Sequence, residues 1–291
     1  MKPSRLFSYF ADAVTVSVFI YLLVFPQNAA APTREALEFC AAALIPSLFI
    51  YMALSKAVVS MPAVQRAYGY IGIAPFMLAI GALCGCPIGA KNAVTLYENG
   101  VVSKKYAEYL CSFTNNASLS FVVGYVGAQL FGDKSIGLRL FVIQLVSAVI
   151  TAFVMKRLLS VEAPSKASKR SVNFRTGLRE AISDSAGTMI DLCACAVFFI
   201  VAGEAICSLL RLDGLANTAI KAVLEFSSGC AATAKSGGYA VALTAFTIGF
   251  GGCSVALQVR SIVAGKLSIK PFLAGKTIQA AVMTLLTVIF G

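Results

Sequence analysis

Apolar residues run along the chain in long stretches parted by short polar ones. They cover about 13–25, 36–61, 71–96, 106–132 and 138–158, and then, after a basic segment ending near 182, about 185–210, 215–236, 239–264 and 272–290. Most are long enough for a helix to cross or enter a bilayer, so the pattern predicts an all-α polytopic membrane protein. Four divisions follow: an N-terminal membrane helix and outer loop (1–35), a first unit (36–158), a basic cytoplasmic loop (159–182) and a second unit (183–291). The run at 13–25 follows Lys2 and Arg5 and precedes Ala29, Ala30 and Ala31, which is the outline of a secretory signal. A retained first helix, its N-terminus in the cytoplasm, is the expectation.

The two units share an order. Gly85-Cys86-Pro87-Ile88-Gly89-Ala90-Lys91 aligns with Gly229-Cys230-Ala231-Ala232-Thr233-Ala234-Lys235, four of seven residues being identical at an offset of 144. Phe113-Thr114 and Gly132 match Phe246-Thr247 and Gly265 at an offset of 133. A longer linker between Glu98 and Tyr109 absorbs the difference, and the shared order points to a duplicated element. Residues 217–239 carry Lys221, Glu225, Ser227, Ser228, Gly229 and Lys235, too polar and broken for a lipid-facing helix, and read as a re-entrant hairpin. Their counterpart at 71–96 is apolar enough to span alone, yet it breaks at Gly85-Cys86-Pro87, where proline cannot continue a hydrogen-bond ladder. By analogy both are hairpins. Each unit then has three crossings, and the two are inverted repeats of helix, re-entrant hairpin, broken helix and helix.

Composition fits that picture and excludes others. The chain is 58% hydrophobic and 13% charged, against roughly a quarter charged in a soluble domain. It has no histidine, the commonest general base and metal ligand, and no phosphate-cradling loop or nucleophile–base motif, so the reading is not an enzyme, with no cofactor and no metal. The nine cysteines lie almost wholly in apolar runs and read as small space-fillers. The net charge of +11 is not a nucleic-acid footprint, because seven of the 24 basic residues crowd the central loop. With the N-terminus inside, 15 basic residues fall on the cytoplasmic side, 5 outside, and Lys91, Lys235, Arg260 and Lys276 at membrane depth, as the positive-inside rule requires.

Candidate chemistry lies where the helices break. Ser112-Phe113-Thr114-Asn115-Asn116-Ala117-Ser118-Leu119-Ser120 puts six hydrogen-bonding side chains near mid-membrane, and Gly249-Phe250-Gly251-Gly252-Cys253-Ser254 leaves the second unit free to unwind. With the hairpin tips, the stretches 85–91, 112–120, 225–235 and 249–258 are expected to surround a wet cavity of the kind transporters build. The candidates are Gly85, Pro87, Gly89, Lys91, Thr114, Asn115, Asn116, Ser118, Glu225, Ser227, Ser228, Gly229, Lys235, Gly251 and Gly252. A plainer reading has Asn and Ser gluing helices together while Gly allows close packing. Lys91 and Lys235 have three readings: facing each other across the repeat axis to attract an anion, pairing with Glu225, Glu204 or Asp191, or snorkelling to an interface.

Several of these segments, together with Ile45-Pro46-Ser47-Leu48, Gly100, Leu224-Glu225-Phe226 and Gln258-Val259, resemble the YlbJ family of sporulation integral membrane proteins, which belongs with the nucleoside-recognition (gate) domain proteins. The likeness runs from about residue 36 to the end. It implies a fold similar to concentrative nucleoside transporters and a role in moving dipicolinate, a planar dianion, from mother cell towards forespore. It also implies a place in the cell membrane, such as the mother-cell-derived outer forespore membrane. Rivals on the same architecture are a nucleoside or nucleobase carrier, with Asn115, Asn116, Glu225 and Gln258 reading base and ribose edges, and a non-transporting scaffold working with other membrane proteins.

Overall fold

A computed structural model describes residues 3–59, 61, 71–162 and 177–290, and these contain no strand. Arg66 and the centre of the basic loop, with Lys166, Lys169, Arg170 and Arg175, lie outside the described residues. The chain opens with α1 (Pro3–Val24) and turns sharply at Phe25-Pro26 into α2 (Gln27–Phe39), which continues through a π turn at Cys40–Leu44 into α3 (Ile45–Val59). Residues 27–35, expected as part of an outer loop, are instead the first turns of α2. The alanines 29–31 favour helix, and the helix runs on through Pro32, which lies inside it and gives up one i→i−4 hydrogen bond.

The first half then runs through α4 (Ile73–Cys84), α5 (Ile88–Glu98), α6 (Lys104–Cys111), a wide π-helical segment (Ser120–Leu130) and α7 (Lys134–Leu158). The second runs through α8 (Leu178–Leu209), α9 (Gly214–Leu224), α10 (Phe226–Thr233), a 3-10 turn (Gly237–Tyr239), α11 (Ala240–Phe250), α12 (Gly252–Val263) and α13 (Lys270–Phe290). A pair of short helices, a broken helix and a long helix therefore occur in the same order twice. Local chemistry sets the boundaries. Ser103 accepts from Tyr106 N and starts α6, while Asp133 accepts from Ser135 N at 2.7 Å and starts α7. The Ser135 hydroxyl and amide together hold the exposed Asp133 carboxyl below the usual carboxylate range.

Four helical runs among the described residues are long and apolar enough to cross a bilayer: Lys134–Leu158, Leu178–Leu209, Gly237–Val263 and Lys270–Phe290. A fifth is formed if Asp12–Val24 and Gln27–Leu44, bent by 101°, count as one. The chain is a multi-pass, all-α membrane protein.

Both short-helix pairs fold back on themselves. Gly81 on α4 and Gly89 on α5 abut the same Thr114 carbonyl oxygen, although a straight helix would hold them ~12 Å apart. A Cβ at Gly229 would stand 2.6 Å from the Ala222 Cα, across a turn made of Glu225 alone. Close glycine contacts also seat the broken helices on their neighbours. A Cβ at Gly249 would meet the Ala280 Cα of α13 at 2.6 Å, and Gly275 lies directly against the Ser112 carbonyl.

Candidate functional site

The two breaks are made differently. In the first half the backbone leaves the helix at Cys111 and stays irregular to Leu119, where residues 112–118 are all buried. Such backbone is tolerated in a membrane protein only where other groups satisfy it. Here they are side chains. Gln144 of α7 donates to the Ala117 carbonyl at 2.9 Å and accepts from the Ala117 amide at 3.3 Å, copying the pairing of a neighbouring strand. Asn115 accepts from Ala90 N and donates to Cys111 O, both at 2.9 Å, tying the break to the α4–α5 tip. Asn116 donates to Phe113 O and accepts from Gln279 Nε2 of α13 at 2.6 Å. In the second half the break is glycine: Gly251 and Gly252 have φ of 82° and 75°, a left-handed conformation that side chains resist. A Cβ at Gly252 would stand 3.0 Å from the Phe226 amide, so this break sits against the α9–α10 tip.

Both tips and both breaks converge on one small cavity of about 50 Å³. Gly85 and Cys86 reach it from the first tip, Asn115 and Ala117 from the first break, Glu225 and Ser227 from the second tip, and Gly251, Ser254 and Gln258 from the second break and α12. Leu44, Leu48, Leu192 and Ile248 supply apolar wall. At roughly 10–15 Å³ per water by this measure, it has room for a few waters and for nothing larger.

A carboxyl and an amino group line it. Glu225 is 4% exposed and caps α10: Oε2 accepts from Ser228 N at 2.6 Å, and the Ser227 hydroxyl donates to the carboxylate at 2.9 Å. Lys276 of α13 is 3% exposed, and its Nζ donates to Asn115 O at 3.2 Å and to Gln279 Oε1 at 2.9 Å. Its aliphatic stem packs against the second break, where a Cβ at Gly251 would stand 3.3 Å from Cε. Neither group belongs to the salt bridges of the described residues, which join Lys91 to Asp184, Lys221 to Glu204 and Lys266 to Glu98.

Of the residues singled out from the sequence, Gly85, Asn115, Glu225, Ser227, Gly251 and Gln258 line this cavity. Pro87, Gly89, Thr114, Asn116, Ser118, Ser228, Gly229 and Gly252 belong to the same four segments without lining it. Lys91 and Lys235 do not face each other across a repeat axis. Helical phase carries Lys91 to α8, where it bonds Thr188 at 2.6 Å and Asp184 at 3.2 Å, so it pairs as one reading allowed but with a different partner. Lys235 is exposed at the foot of α10, in surface clefts with Lys221. The cation in the cavity is Lys276, which the sequence places at membrane depth but no motif marks. Gln144 and Gln279 were missed for the same reason. The available sign was polarity itself, an amide or ammonium amid an otherwise apolar span.

No protein-family model matches the chain, and no solved structure matches it. Among curated proteins it is similar to a sporulation integral membrane protein, YlbJ of Bacillus subtilis (strain 168), being 28% identical over 126 residues. That similarity covers 40% of this chain and 31% of the relative's length.

Proposed function

We propose that the chain is a carrier of a small organic anion, dipicolinate first among them, bound at mid-membrane between the hairpin tips and the broken helices. The observation that carries this reading is the convergence of four interrupted segments on one small cavity holding a buried lysine. Unwound backbone and an ammonium are both costly inside a bilayer, and a scaffold would need neither at the same point. The similarity to a sporulation membrane protein supports endospore formation as the setting, and the place we assign, the mother-cell-derived membrane around the forespore, is what the family resemblance implies. The bias of basic residues supports a cytoplasmic N-terminus. The cavity is too small for the solute as it stands, so binding requires the tips to part on one side at a time, as in alternating access. No nucleotide-binding motif is present in the sequence, so flux would follow a solute or ion gradient.

The test is uptake by reconstituted vesicles, comparing labelled dipicolinate with uridine against protein-free controls. Protein-dependent accumulation of dipicolinate and not uridine is expected. Accumulation of uridine alone would replace this reading with the nucleoside carrier, and accumulation of neither would leave a scaffold.

A further inference from the structure

The N-termini of α10 and α12 both reach the cavity, and the protein treats them differently. That of α10 holds a carboxylate of the chain's own, Glu225, through Ser228 N and the Ser227 hydroxyl. That of α12, which starts at the Gly251–Gly252 break, has no side-chain cap. Its first-turn amides have no acceptor within the helix and carry the positive end of the helix dipole. Ser254, in that first turn, is 1% exposed and lines the cavity, and its hydroxyl has no hydrogen-bond partner among the described residues. Lys276 lies beside the same turn, its Cε against Gly251. An ammonium has three donors, and among the described residues Lys276 spends two of them, on Asn115 O and Gln279 Oε1.

We infer that the start of α12, the Ser254 hydroxyl and the Lys276 ammonium together form a carboxylate-binding point in this cavity. The inference rests on the carrier reading and deepens it by naming the group that is recognised. A buried hydroxyl with nothing to bond is unfavourable, and so is an ammonium without a counter-charge at this depth. One carboxylate answers both. Its first oxygen takes the remaining Lys276 N–H, and the second takes the Ser254 hydroxyl and the first-turn amides. Glu225, whose backbone abuts the start of α12, keeps acceptor capacity beyond its cap, so a bound ligand turns an uncharged edge towards it, such as the C–H edge of the dipicolinate ring. A neutral nucleoside brings carbonyl and hydroxyl acceptors to this point but no counter-charge for Lys276.

The experiment uses full-length wild type, Ser254→Ala and Lys276→Met, with dipicolinate, pyridine-2-carboxylate and uridine as probes. Each protein is measured by vesicle uptake and by the ligand-induced shift in melting temperature in detergent. Lys276→Met is expected to weaken both carboxylates by roughly ten- to a hundredfold and Ser254→Ala by roughly fivefold. The ligand-free melting temperature of Ser254→Ala should stay at wild type, because its hydroxyl holds no protein group. Wild-type half-saturation in Ser254→Ala would overturn the inference and leave the carrier reading standing. A wild type that the carboxylates stabilise but that does not accumulate them, with the stabilisation lost in the variants, would keep the binding point and remove the carrier. A wild type that neither carboxylate stabilises and that accumulates neither would remove both.

Discussion

Gln279 donates its side-chain amide to Oδ1 of the Asn116 side chain at 2.6 Å, joining α13 to the first-half break across 163 positions of sequence. Both residues are buried, and both ends of each amide are engaged: Asn116 through Phe113 O and Gln279, Gln279 through Asn116 and Lys276. The plain reading of Asn116 as helix glue is the one its geometry fits. Replacing either residue with leucine leaves the other with a buried orphan, costing about 1–3 kcal/mol. In a double-mutant cycle the pair should show a coupling of about 0.6 to 1.7 kcal/mol, the range of hydrogen bonds between membrane helices. Chemical denaturation of the detergent-solubilised protein measures it, and additive single effects would show that the contact contributes nothing.

Gly81 and Gly89 grip Thr114 from the two arms of the first hairpin. A methyl at Gly81 meets the Thr114 carbonyl oxygen itself, and one at Gly89 would stand 2.5 Å from Oγ1 and 2.7 Å from the carbonyl carbon. Neither Gly81→Ala nor Gly89→Ala has room without moving backbone, so each should lose about 1–3 kcal/mol or fail to assemble. Gly187→Ala in α8, with nothing within 4 Å, is the control and should be neutral or gain up to ~1 kcal/mol from helix propensity. Melting temperatures of the three variants check this.

Glu225 starts α10. Glu225→Ala removes the acceptor for Ser228 N and should destabilise by about 1–2 kcal/mol, whereas Glu225→Gln keeps one oxygen for that amide and should cost less. Equal melting temperatures for the two variants would show that the cap is not what holds the tip.

Lys91 and Lys235 lie outside the cavity. Lys91→Ala gives up a half-exposed pair with Asp184 and should cost no more than about 1 kcal/mol, and Lys235→Ala less. Both should take up dipicolinate at the wild-type rate once normalised to inserted protein. A defect in either would restore these lysines to the solute's path.

The sequence carried the architecture further than the site. Breaks at Gly85-Cys86-Pro87, at Ser112 to Ser120 and at Gly251-Gly252 were legible because glycine, proline and clustered hydroxyls interrupt an otherwise apolar text. The fold-back of 217–239 was legible because Lys221 and Glu225 cannot face lipid. Lys276 was not, because one cation in an apolar helix has no periodicity, and its meaning depends on α13 lying beside Gly251, 25 positions away in sequence. Lys91 misled for the converse reason. Its place just after a tip suggests an inward direction, but a helix turns 100° per residue and carries it outward to Asp184. Residues 27–35 read as loop because they fall between two apolar runs, though a helix at an interface can occupy such a gap.

The pairing of Gln144 with both backbone groups of Ala117 has a mechanical consequence. Fastened there, and again through Asn115 and Asn116, the irregular stretch of the first half is a fixed jaw, while the opposing one turns on two glycines with no amide clamp among the described residues. If the molecule bites on its solute, the stroke belongs to the Gly251 side.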